Sequence, residues 1–177
     1  MFLYSIALFL HVIGALLLFV MLTVEGIALR QLHRAAATEA AQGAAALLRL
    51  NRMVGPLSAL GVLVPGVYMT VTTWGWVAWI VVALISWALI AVLGAVSGIR
   101  ILALERSGAL LTGIRQSPFL VSWFTRVGVA MGIVFLMTLK PGALAAAFAV
   151  ALGAAVGAAL GITLSRRSRD GREVQVA

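Results

Sequence analysis

The chain has 177 residues, of which 63% are hydrophobic and only 10% are charged, with a formal net charge of +8. A soluble domain usually carries about 25% charged and about 45–50% apolar residues, so this composition excludes a soluble globular fold. Cysteine is absent, which excludes disulfides, thiolate metal sites and cysteine nucleophiles. The composition leaves a membrane protein as the expected class.

Long uncharged segments predict the number of membrane spans. A bilayer core about 30 Å thick needs roughly 20 apolar residues in a helix, and residues 53–99 contain no charged side chain at all. This stretch is long enough for two spans, and Thr72–Trp76 divides it. We predict an all-helical, polytopic membrane bundle, residues 1–164, followed by a basic tail at 165–177 that we expect to be disordered. The five transmembrane helices fall at about 2–29, 55–73, 77–101, 118–139 and 143–164. Because alanine favours helix, we expect part of the loop at 30–52 to be helical as well, with Thr38 as its cap.

Basic residues predict how the chain is threaded. Given five spans, twelve of the thirteen Lys and Arg residues fall on one side of the membrane, and only Lys140 falls on the other. Because basic residues favour the cytoplasmic side, we expect an external N-terminus, a cytoplasmic C-terminus and a bacterial inner-membrane location. An aromatic belt then gathers at the outer interface, formed by Tyr4, Tyr68, Trp74, Trp76 and Trp79. The same distribution explains the positive charge without nucleic acid as a partner.

Four ionisable residues fall in or near the predicted spans, where charges are costly and are candidates for function. His11 and Glu25 are fourteen residues apart and share one face of the first helix, and Arg126 and Lys140 have the same spacing in the fourth. If these helices are neighbours, Glu25 lies level with Arg126. We therefore predict a structural ion pair between Glu25 and Arg126. The alternative is that each charge extends to the nearer interface.

His11 is the strongest candidate for chemistry. A neutral imidazole in lipid has a donor and an acceptor to satisfy, and an interhelical hydrogen bond is the simplest solution. The alternatives are a proton relay or an axial ligand to haem. His33 lies in a predicted cytoplasmic loop, so a second ligand would have to be Met69, Met137, Lys140 or His11 of another subunit. Copper would depend on the same scattered residues, and we predict no metal site.

The remaining intramembrane features favour packing. We expect Trp87 to lie in the core with its indole N–H bonded to a neighbouring helix. Pro65 removes one backbone hydrogen bond and predicts a kink. The small residues Gly153, Gly157 and Gly161 follow one another at GxxxG spacing, which allows close helix contacts. We expect this face to join a second copy of the chain or a partner membrane subunit.

Two short segments carry a family resemblance: Phe9–Ala15, which contains His11, and Met137–Gly142. With them, the chain resembles a bacterial family of small integral membrane proteins of unknown function. In layout it is distantly similar to copper-resistance-D membrane proteins and to HemJ-type haem-binding membrane proteins. The resemblance covers about residues 1–142 and implies a functional histidine early in the first helix, which here is His11.

The sequence leaves three functions open. The first is a small multi-pass inner-membrane protein that serves as a structural or accessory subunit. The second is a membrane redox protein that binds haem through His11. The third is a small transporter or channel, which the proline at Pro65 would suit because broken helices often line substrate paths.

The Glu25–Arg126 hypothesis makes a direct prediction. Arg126→Ala should lower the stability of the protein in detergent, and exchanging the two charges (Glu25→Arg with Arg126→Glu) should restore it. Thermal unfolding of the purified variants measures both effects. A double variant no more stable than either single variant would show that the two residues do not pair.

Overall fold

The computed structural model of the chain describes residues 1–34, 38–116 and 118–176, without the side chains at 34, 38–40, 115–116 and 167–176. These residues form helices and short connections, and no strand occurs among them. In chain order the helices are α1 (Phe2–Arg34), α2 (Thr38–Met69), a π-helical turn (Thr70–Trp74), α3 (Ala78–Arg106), α4 (Leu110–Gln116), α5 (Phe119–Leu139) and α6 (Ala143–Val176).

Within the described ranges, five helical segments are long and apolar enough to cross a membrane. They are Phe2–His33, Ala41–Trp74, Ala78–Arg106, Phe119–Leu139 and Ala143–Arg166. The all-helical class and the five predicted spans are therefore confirmed, and the layout indicates a multi-pass membrane protein. The short α4 lies between the third and fourth of these segments.

Helices α1, α2 and α6 extend beyond the predicted spans. The helix expected within residues 30–52 is confirmed, since α2 begins at Thr38, and it continues without a break into the second span, while α1 continues to Arg34. Alanine strongly favours helix, and buried apolar side chains continue along both helices here: Ala28, Leu29, Leu32, Ala41, Ala44 and Leu48. The expectation of a disordered tail was wrong, since α6 remains helical through Val176. No proline follows Gly142 to end that helix.

The predicted turn between the second and third spans is confirmed. The π-helical turn ends at Gly75, whose φ of 68° is a left-handed conformation that glycine adopts readily. An aromatic cluster surrounds the turn. The Trp74 indole N–H donates to the Tyr4 hydroxyl (3.2 Å), and the Trp74 and Trp79 rings meet edge to face with centroids 5.9 Å apart. Tyr4 and these tryptophans thus lie at one end of the α1–α2 pair, as expected for an interfacial belt.

The chain divides into two compact units, Met1–Val81 and Val82–Ala177. The first consists mainly of α1 packed on α2. These helices approach most closely at Gly14 and Gly61, where a β-carbon added to Gly14 would lie 2.5 Å from the Gly61 carbonyl carbon. Backbone therefore packs directly on backbone at this point, which only glycine permits.

The second unit is dominated by α5 packed on α6. The three glycines at GxxxG spacing face α5 of the same chain: Gly153 contacts Gly128, Gly157 lies against Phe124, and Gly161 lies against Val121. The small-residue face that suggested contact with another subunit is thus occupied within the chain. An oligomer would have to form through other surfaces.

The α5–α6 crossing predicts a sharp difference between two glycines. A β-carbon at Gly128 would collide with the Gly153 carbonyl, whereas one at Gly98 would meet no atom within 4 Å. Gly128→Ala should therefore lower the free energy of unfolding by about 1–3 kcal/mol, as overpacking does. Gly98→Ala should be neutral or stabilising by about 0.5–1 kcal/mol, because glycine is a poor helix former. Unfolding in mixed detergent micelles measures both, and equal effects at the two positions would contradict the crossing.

Candidate functional site

His11 forms a hydrogen bond between the two helices of the first unit. Its Nδ1 lies 2.8 Å from the carbonyl oxygen of Val62 in α2. A carbonyl oxygen can only accept, so Nδ1 must carry the proton and donate. The interhelical hydrogen bond expected for His11 is therefore formed, and its partner is the backbone of α2.

The surrounding sequence of α2 makes room for the imidazole. A β-carbon on Gly66 would lie 3.1 Å from both Cε1 and Nδ1 of His11, so the ring occupies the space that a larger residue would fill. Pro65, beside that glycine, has no N–H to donate to the carbonyl of Gly61, four residues earlier. The Thr70 hydroxyl donates back to the Gly66 carbonyl (2.9 Å). His11 thus packs against α2 beside the proline, where the backbone ladder lacks a donor.

The second ring nitrogen of His11 remains available. With the proton on Nδ1, Nε2 carries a lone pair, and among the described residues no hydrogen-bond donor reaches it. The side chain is half-buried rather than enclosed. A histidine that binds a metal usually donates its other N–H to a carboxylate or a backbone carbonyl, which fixes the ring and its tautomer. His11 has this arrangement.

A second polar contact joins the same helices fourteen residues further along α1. The Asn51 side-chain amide donates to Oε2 of Glu25 (3.2 Å), and Glu25 is only 4% exposed. Ser58, two turns beyond Asn51 on α2, is also buried, and its hydroxyl donates to the Gly55 carbonyl (2.7 Å). Asn51 therefore supplies a hydrogen bond that a buried carboxylate requires.

Polar groups in the second unit lie between α3 and α5. The hydroxyls of Ser97 and Ser122 are 3.1 Å apart. Gly94 and Arg126 lie one turn away from these serines on the same two helices. A β-carbon added to Gly94 would lie 3.3 Å from Nη1 of Arg126. Arg126 is 5% exposed, so Gly94 provides space for a buried guanidinium. Gly98, one turn further along α3, has no atom within 4 Å of an added β-carbon.

The predicted ion pair is not tested by these contacts. Glu25 belongs to the first unit and Arg126 to the second. Both side chains are buried, as the prediction requires. The pairing stays a prediction.

Lys140 and Trp87 are the other two polar residues predicted within the spans. Lys140 is exposed and ends α5 in a left-handed conformation, with φ 49° and ψ 50°. Its cation therefore lies at the C-terminal end of a helix dipole, which favours positive charge. Trp87 is half-buried in α3, and the interhelical hydrogen bond expected for its indole N–H stays a prediction.

Sequence reasoning identified His11 and Glu25 but missed the residues that position them. Val62 acts through its backbone, which no side-chain pattern reveals. Gly66 and Asn51 had a usable signal, because a glycine leaves space for a side chain of a neighbouring helix and an amide can donate a hydrogen bond to a carboxylate. Among the described residues, no group of three or more His, Asp or Glu side chains could hold a metal ion.

Comparison with known proteins adds no relative to this description. No protein-family model, no curated protein and no solved structure matches the chain. The resemblance to membrane proteins with a histidine in the first helix remains an expectation, and the functional argument depends on the geometry of the site.

The Glu25–Asn51 contact predicts the effect of removing its donor. Asn51→Ala should lower the free energy of unfolding in detergent by about 1–3 kcal/mol, because a buried carboxylate loses a hydrogen bond. Gln42→Ala is the matched control, since Gln42 is an exposed amide on the same helix. Equal stability of the two variants would show that the amide contributes nothing to the pair.

Proposed function

We propose that this chain is a multi-pass protein of the bacterial inner membrane that binds haem, with Nε2 of His11 as an axial ligand of the iron. The proposal includes the orientation expected from the arginines, with the N-terminus outside. It depends on one observation: Nδ1 of His11 donates to the Val62 carbonyl and leaves the lone pair of Nε2 available.

The residues around His11 fit an axial ligand. The hydrogen bond to Val62 fixes the ring and its tautomer, as backbone acceptors do for metal-bound histidines. Gly66 removes the side chain that would otherwise displace the ring. Leu10 and Val12, the chain neighbours of His11, are about half exposed and offer apolar surface of the kind that a porphyrin covers. Haem bound here would supply one-electron redox chemistry, with its potential set partly by the axial ligand.

Met69 does not extend this ligand set. It lies in α2, is 8% exposed and belongs to the packed core of the first unit, as expected for a flexible side chain that fills a gap. Met137 belongs to the second unit. Within the first unit, His11 is therefore the residue that would hold the iron, and a second ligand would come from the second unit, from another copy of the chain or from a small molecule.

A structural or accessory membrane subunit is the second candidate. It is favoured by the glycine crossings in both units, where α1 meets α2 at Gly14 and α5 meets α6 at Gly128. Backbone contacts of this kind make rigid helix pairs. In this reading the His11–Val62 bond serves only to hold α1 against α2.

An absorption spectrum separates the two candidates. Protein purified from haem-replete cells should show a Soret band, and His11→Ala should abolish it because the axial nitrogen is gone. His33→Ala is the matched control: that histidine also donates from Nδ1 to a backbone carbonyl, that of Leu29 (2.9 Å), but lies at the far end of α1. Its spectrum should be unchanged.

A second variant tests the positioning of the ring. Gly66→Val should displace His11 and reduce haem content severalfold, whereas Gly98→Val should not, because no atom lies within 4 Å of a β-carbon added at Gly98. Colourless wild-type protein from haem-replete cells, or a Soret band retained in folded His11→Ala, would contradict the proposed function and leave the structural subunit.

A further inference from the structure

Contacts between α1 and α2 give the register of the first unit. Tyr4 meets Trp74, Gly14 meets Gly61, and Glu25 meets Asn51. As the residue number rises along α1, the number of the contacting residue in the α2 segment falls by a similar amount, as expected for two antiparallel helices in a constant register. The level of any residue on one helix can therefore be compared with that of a residue on the other.

This register fixes the depth of the pair in a bilayer. Tyr4 belongs to the aromatic cluster at one end, and Glu25 follows it by 21 residues. At 1.5 Å per residue these residues are about 31 Å apart along the helix, which matches the roughly 30 Å of hydrocarbon in a membrane. With aromatic residues at one interface, the Glu25–Asn51 contact lies at the opposite interface.

Three exposed arginines occupy the level of that second interface. Arg30 lies five residues beyond Glu25, while Arg49 and Arg52 lie within two residues of Asn51. All three therefore fall within about 8 Å of the Glu25 level along the helix axis, a distance comparable to the thickness of the headgroup layer. Immediately on the hydrocarbon side, Met53 and Leu57 are 74% and 65% exposed, as expected for side chains that contact acyl chains.

The chemistry of these three arginines matches one kind of partner. Guanidinium groups bind phosphate through paired N–H donors, and they bind it better than lysine does. An anionic leaflet attracts each basic residue near its surface by about 1 kcal/mol. Arg49 and Arg52 are three residues apart on α2, so they lie on adjacent turns of one helix face and can approach the same headgroup.

We propose that Arg30, Arg49 and Arg52 form a binding site for the phosphate headgroup of anionic phospholipids. The apolar side chains of Met53 and Leu57 contact the acyl chains of the same lipids. This inference depends on the membrane placement of α1 and α2 and is independent of haem. Either proposal can fail without the other.

Spin-labelled lipids provide the test. The full chain is reconstituted into phosphatidylcholine vesicles that contain a trace of labelled phosphatidylglycerol or labelled phosphatidylcholine, and electron paramagnetic resonance measures the immobilised fraction of each. The wild-type protein should prefer the anionic lipid severalfold. The combined change Arg30→Gln, Arg49→Gln and Arg52→Gln should lower that preference at least threefold, because the charges that attract the anionic headgroup are removed.

Three controls make the result specific. Lys140→Gln removes a cation from the end of α5 and should leave the preference unchanged. Replacing the same three arginines by lysine should retain part of the preference, because charge remains while paired donation is lost. Inorganic phosphate at millimolar concentration should not displace the labelled lipid, since a free anion lacks the acyl contacts.

The proposal is overturned by any of three outcomes. They are an unchanged preference in the triple glutamine variant, an equal loss in Lys140→Gln, or displacement of the lipid by free phosphate. If the triple variant does not fold, the three single variants replace it, each with an expected loss of about twofold. No loss in any of them would also overturn the proposal.

Discussion

The first unit depends on one constraint: within a membrane, backbone and side-chain polar groups must find partners inside the protein. Pro65 removes a donor from the helical ladder of α2, and His11 of α1 donates to the adjacent Val62 carbonyl at 2.8 Å. That hydrogen bond requires the helices to lie very close. Glycines at the crossing provide this proximity, and Gly66 leaves space for the ring. One bond thus joins the two helices and also fixes the tautomer of His11.

Glycine has a different role in each part of the chain. At Gly14 and Gly128 it allows backbone to pack against backbone, at Gly66 and Gly94 it makes room for a polar side chain, and at Gly75 it permits a left-handed turn. The polar groups near the crossings therefore have defined positions. Glu25 is bonded to Asn51 within the first unit, and Arg126 is accommodated in the second. Functional and packing residues are consequently placed by the same small-residue contacts.

Hydrophobic segment length and aromatic clustering were sufficient to predict five spans and the turn before Trp76. The alanine-rich segment at 30–52 also predicted helix, and α2 does begin at Thr38. The sequence did not predict that this helix continues into the second span without a break. It also assigned the α6 glycines to an external contact, although α5 covers them. Small residues indicate that a close contact exists without identifying the partner. The acceptor of His11 is a backbone carbonyl, which side-chain patterns cannot show.

The tautomer of His11 is the most direct test of this account. Nitrogen-15 NMR of histidine-labelled protein in lipid bilayers, prepared without haem, distinguishes protonated from bare ring nitrogens. Because the chain contains two histidines, a His33→Ala sample assigns the signals. The account predicts a neutral His11 with the proton on Nδ1 and a bare Nε2. A proton on Nε2 would show that the ring does not donate to Val62, and the proposed ligand would then be lost together with the bond that joins the helices.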